Sequence, residues 1–146
     1  TEITFDGSDN IKFLVDNSEN MRLAGTALHV EGDVVAFSTT VSSDEKLKED
    51  IQRVEGALEL VSQLDGVKFK WKKNGIESAG VIAQNVQEVL PSAVKEVDDI
   101  NDVDKHLNVD YNQLSALFIE AIKELKEENK QLRSAIEDLK DINSNS

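Results

Sequence analysis

From Asp110 onward, apolar residues recur at alternating intervals of three and four. With Tyr111, Phe118, Leu125, Leu132 and Leu139 at heptad position d, Ser115, Ile122, Asn129 and Ile136 fall at a. Lys126, Arg133 and Lys140 then occupy e, and Glu128 at g can reach Arg133 of a partner helix. Leu114, Leu117 and Ile119 widen the stripe over the first turns, where packing on the helix's own domain is expected. Beyond Glu124 only the narrow seam remains, and a narrow seam on a long helix requires other helices like itself. Isoleucine at a, leucine at d and Asn129 at a lean toward two strands. The chain is therefore read as an oligomer.

Composition narrows the partners. The 146 residues hold 16 basic and 29 acidic side chains, a formal charge of −13. Such a surface repels phosphate, so neither nucleic acid nor a membrane surface is an expected partner. Without cysteine there is no disulfide staple and no thiolate nucleophile. His29 and His106 lack ligand spacing, so no metal and no cofactor are expected. No apolar run reaches the ~20 residues of a membrane span. The start of the chain falls in the middle of a pattern, as in a piece of a longer protein.

Residues 1–43 predict short β-strands. Ile11, Phe13 and Val15 alternate with their neighbours, as do Leu28 and Val30 about His29, and Val35, Phe37, Thr39 and Val41. Turn clusters at 6–10 and 16–20, Gly25 and Gly32-Asp33 separate them. So few apolar residues do not offset the ordering entropy of a lone segment. Strands of this kind are stable when several chains share one core, as in interwound β-stalks.

After Ser43 the period changes. Leu47, Ile51, Val54, Leu58, Val61 and Leu64 predict one helix, opened by Asp44 and Glu45 and weakened at Gly56. Val67, Phe69 and Trp71, alternating with lysines, predict a strand. Asn74-Gly75 predicts a hairpin turn, with a second strand running through Val81 and Ile82. A short helix over 84–90 stops before Pro91. The acidic run 98–104 reads as a solvated loop, without the spacing or glycine of a calcium loop. The fold class is thus α+β: a β-stalk segment over 1–43, then a small α+β domain over 44–146 ending in a long coiled-coil helix.

At the junction stands SSDEKLKED, residues 42–50. By spacing alone it reads as a helix start with lysines on the wet face. A serine hydroxyl becomes a nucleophile only when a base takes its proton, and a lysine serves only if burial or nearby cations lower its pKa. Ser–Lys pairs are a known form of that arrangement, and Ser43 with Lys48 are the candidates here, Ser42 remaining a second hydroxyl.

Residues 43–51, SDEKLKEDI, are similar to the "S-D-x-x-L-K-x-x-I" opening of the C-terminal intramolecular chaperone domain of phage tail spikes and tail fibres, the endosialidase-type chaperone domain. Residues 80–91, GVIAQNVQEVLP, resemble that family's "G-L-I-A-Q-E-V-x-x-V-x-P", with Asn85 in place of the usual acid. Residues 107–111, LNVDY, running into LFIEAIKEL at 117–125, resemble its closing motif. Three matches in order cover residues 43 to about 140.

The resemblance implies a domain that holds three chains in register while their β-stalk folds. It then frees itself by autoproteolysis at the Ser43-Asp44 junction, with Ser43 as nucleophile and Lys48 as base. Its partners would be two further copies, trimerised through Phe118, Ile122, Leu125, Asn129, Leu132, Ile136 and Leu139, and its own upstream stalk. Two other roles fit less of the pattern: a tip that stays attached, and a receptor-binding fibre end. Ring size bears on the cut. Ser43 oxygen closes a strained four-membered ring on its own carbonyl but a five-membered one on that of Ser42.

Overall fold

A computed structural model describes residues 1–5, 10–25, 27–38, 40–98 and 105–144. The acidic run expected to form a loop falls, apart from Asp98, outside the described residues, as do Thr39 and most of the first turn cluster. The architecture is α+β, as the patterns predict. The chain divides into two units, one of residues 1–49 and 96–106, the other of 50–95 and 107–146.

In the first unit, β1 (Glu2–Phe5), β2 (Ile11–Val15), β3 (Ser18–Ala24) and β4 (Ala27–Val30) form one antiparallel meander in chain order. Asp16 and Asn17 both take positive φ, 51° and 61°, which is the left-handed pair a two-residue hairpin needs. Asn20 Oδ1 accepts from the Val15 amide at 3.1 Å beside that turn. Register assigns the faces. Ile3, Phe13, Met21 and Val30 stand in one row, and Phe5, Ile11, Leu23 and Leu28 in the next on the same side. Thr4, Lys12, Arg22 and His29 form the row on the opposite side. Glu19 lies 3.3 Å from Lys12 and 3.4 Å from Arg22, so the polar row is ion-paired. The apolar face is left open, with Ile3, Phe5, Leu23 and Leu28 all exposed.

Two expectations for this half are corrected. Val35, Phe37 and Val41 form no strand, and their side chains are exposed. The single helix expected from Asp44 to Leu64 is broken in two. A 3-10 turn at Glu45–Leu47 and α1 (Ala57–Ser62) are separated by irregular chain, because Asp50 and Gly56 take φ of 50° and 63°.

In the second unit α1 packs on α3 (Tyr111–Ser144), burying Ala57 against Leu117 and Ala121 with Val54, Leu58, Val61 and Leu64 around them. A second cluster joins Val86, Ala93 and Leu114, with Val81, Leu90 and Val109 packed on it. Here α2 (Ala83–Val89) ends before Pro91, as expected. The hairpin pairs β5 (Val67–Lys70) with β6 (Glu77–Gly80), so the return strand ends before Val81 and Ile82 instead of running through them. Gly75, at φ 73°, supplies the turn. Strands β7 (Val94–Asp98) and β8 (Lys105–Val109), whose residues are divided between the two units, pair as a two-stranded ribbon that the sequence patterns do not predict. Past its first turns α3 leaves Phe118, Ile122, Leu125, Leu132, Ile136 and Leu139 exposed along one seam.

Candidate active site

The site is built from one local turn. Asp44 is extended, at φ −62° and ψ 138°, and its Oδ1 accepts from the Lys46 amide at 3.0 Å. Two backbone bonds complete the turn, Leu47 N to Asp44 O at 3.1 Å and Lys48 N to Glu45 O at 3.0 Å. Lys48 leaves it extended again, at φ −129° and ψ 147°. The chain therefore doubles back once, and the lysine side chain returns over Ser43. Lys48 Nζ donates to Ser43 Oγ at 2.6 Å and to the Ser43 carbonyl oxygen at 3.1 Å. Lys46 turns elsewhere, its Nζ lying 3.5 Å from Asp44 Oδ2.

Chemically, this places a hydroxyl and an amine within proton-transfer distance. The same amine touches the carbonyl of the bond that follows Ser43, which is the position of an electrophile for that bond. Both side chains are exposed in the single chain. A lysine takes a proton only when neutral, and that requires desolvation or neighbouring cations.

The remaining expected site residues lie on α3. The side-chain amide of Asn129 donates back to Leu125 O at 2.9 Å. Tyr111, at a seam position by spacing, instead accepts from the Val81 amide at 3.3 Å through its hydroxyl. Two structural residues escape sequence reasoning. Glu124 accepts from the amides of Leu58 at 2.8 Å and Ala57 at 3.0 Å, capping α1 where Gly56 offers no side chain. Those amides hold its carboxyl below the ordinary value, Leu58 contributing most. Asn85 accepts from Asp65 N and donates to Gln63 O, both at 2.9 Å. The uncapped start of α1 was the signal for a remote acid; nothing in spacing points to Glu124 itself.

Comparison with known proteins agrees with the motifs. Residues 43–95 match the family described as chaperone of endosialidase. The long tail fibre protein Gp37 of Enterobacteria phage K3 is 31% identical over 141 residues, 93% of this chain and 11% of that protein. The Gp37 protein of Enterobacteria phage T2 is 30% identical over 141 residues, again 93% of this chain, and 10% of its own length. That of Salmonella phage S16 is 34% identical over 119 residues, 76% of this chain and 16% of the relative. The chain thus spans about a tenth to a sixth of the length of these relatives. The chain is thus similar along most of its length to part of phage long tail fibre proteins, and within it residues 43–95 match the chaperone-of-endosialidase family.

Proposed function

We propose that this chain belongs to a phage tail fibre or spike, that its domain from residue 44 trimerises and registers the upstream β-stalk, and that it is released by self-cleavage at the Ser43-Asp44 junction. The stalk part then stays in the virion tail, while the chaperone part is left in the host cytoplasm where assembly occurs. The observation that carries the reading is the 2.6 Å contact between Lys48 Nζ and Ser43 Oγ, inside the stretch that matches the family.

The reaction follows from that contact. Neutral Lys48 takes the Ser43 hydroxyl proton, and the resulting oxygen attacks a carbonyl carbon. If that carbonyl is Ser42's, a five-membered ring forms and the Ser42–Ser43 C–N bond breaks. The freed nitrogen takes the proton back from Lys48, and water hydrolyses the ester left on Ser43. If the Ser43–Asp44 bond is cut, the attacking oxygen is the Ser43 hydroxyl of another copy, with Lys48 Nζ already on the carbonyl it must polarise; the Asp44 nitrogen leaves with the hydroxyl's proton, and water hydrolyses the ester formed between copies. The two routes leave different new N-termini, Ser43 or Asp44.

Assembly explains the timing. In one chain the pair is exposed, so the desolvation that leaves a lysine neutral has to come from neighbouring copies. Few local contacts hold stalk strands together, and pairing three chains is slow and leaves open edges. A C-terminal trimer raises their local concentration and sets their stagger. The exposed seam of Phe118, Ile122, Leu125, Leu132, Ile136 and Leu139 supports that association. The number three rests on the family resemblance, against the two-stranded leaning of the heptads.

The test is a comparison of denatured chains. Wild type runs as two pieces, and Ser43→Ala and Lys48→Ala run as one. Sequencing the new terminus identifies the bond. A wild-type chain that assembles but stays whole would assign the domain to a permanent trimerising tip.

A further inference from the structure

Lys48 lies five positions after Ser43, and no regular structure brings residues at that spacing together. In an extended strand their Cα atoms would lie about 17 Å apart, well beyond a lysine's reach. In a continuous α-helix they would be about 7.5 Å apart along the axis and about 140° apart around it, on nearly opposite faces. The observed 2.6 Å contact exists because one 3-10 turn is set between two extended residues. That turn is three residues long, buries nothing, and has two backbone hydrogen bonds of its own. An isolated turn so small is marginal in water, so what closes it matters. The side-chain bond that closes it is Asp44 Oδ1 with the Lys46 amide.

We propose that Asp44 is a positioning residue for the self-cleavage: by capping the turn at Glu45–Leu47 it folds Lys48 back onto the Ser43 hydroxyl and carbonyl. This rests on the self-cleavage reading above. The role belongs to the acceptor oxygen and not to the negative charge. The carboxylate's other oxygen pairs only with Lys46, at 3.5 Å between side chains that are 85% and 53% exposed, where an ion pair contributes little. Asparagine presents the same acceptor with no charge and caps about as well as aspartate; alanine presents none. The acid also lies beside the reacting atoms without touching them, so it neither takes nor gives the proton.

The experiment follows cleavage of the full chain over time across pH 6–9 in wild type, Asp44→Ala, Asp44→Asn and Lys46→Ala. Asp44→Ala should cut about fivefold more slowly or worse, as loss of one cap depopulates the turn. Asp44→Asn should recover to within about twofold of wild type, since it restores the cap. Lys46→Ala should match wild type, and the pH midpoint should be the same in all four, because the dyad is unchanged. Sedimentation of each in a Ser43→Ala background should show the same assembly, since the turn buries no residue within the chain and the association is assigned to the α3 seam. Wild-type speed in Asp44→Ala overturns the proposal, and so does an Asp44→Asn chain as slow as Asp44→Ala, which would assign the effect to charge. A shifted pH midpoint in Asp44→Asn does the same. Wild type that never cuts refutes instead the self-cleavage on which it rests.

Discussion

Asn85 sits on α2 with both ends of its amide in use, tying the end of α1 to Asp65, two residues before β5. The resembling motif has an acid at this position. An acid could still accept from Asp65 N but would set a carboxylate against the Gln63 carbonyl. Asn85→Asp should therefore lower the melting temperature at pH 7, by about 1 kcal/mol of stability, with recovery at acidic pH where the carboxyl regains a proton to donate. A melt unchanged by the substitution would mean the amide contacts contribute nothing. Gly80 poses a matter of space. A Cβ there would stand 2.6 Å from the Tyr111 hydroxyl, which is held by the Val81 amide. Gly80→Ala should destabilise, and adding Tyr111→Phe should restore much of the loss by removing the oxygen that is struck. Losses that simply add would show that the clash is elsewhere. The resemblance made both positions visible as motif letters, but only the packing gives their reasons.

At the scale of elements, legibility followed periodicity. The long helix, α2 and β5 each carry an unbroken apolar pattern and stand where the spacing put them. The segment 48–56 also carries helical spacing at Ile51 and Val54, yet it is irregular. Its helix begins only at Ala57, where Glu124, 67 residues away in sequence, supplies the cap. No local rule can see a cap brought by another element. Glu124 also gives a pH dependence. Its folded pKa lies below the unfolded value of 4.5, so its contribution is present above that value and is lost as pH falls through the folded pKa. The melting-temperature gap between wild type and Glu124→Gln should be full at pH 7 and should close as the pH falls below 4.5 and on through the lowered folded pKa. A gap that stays constant in acid would deny the cap its charge. The seam of α3 offers a separate test. Burying one leucine contributes about 1.5–3 kcal/mol, so Leu132→Asp, in every copy at once, should leave the chain monomeric at micromolar concentration. Sedimentation as an intact oligomer would place association elsewhere.

The whole molecule combines two open surfaces with one local pair of reactive groups. The first unit offers an apolar sheet face and the second an apolar helical seam, and among the described residues both carry exposed large apolar side chains. Alternation predicted strands in the first unit, but Val35, Phe37 and Val41 show that alternation without a partner surface does not make one. The Ser43–Lys48 pair was visible in the sequence only through resemblance, since spacing alone favoured a helix start. What joins these parts is the claim that assembly comes first and the cut depends on it. On that claim, burial of the exposed amine by neighbouring copies is the step that turns a hydrogen bond into a reaction. The most direct measurement is to separate freshly made wild-type protein by size and weigh the denatured chains of each fraction. Trimer fractions should yield fragments of about 5 and about 11 kDa, in proportion to 16.2 kDa for 146 residues, and monomer fractions only the whole chain. Cut chains among monomers, or trimers holding only whole chains, would contradict the account.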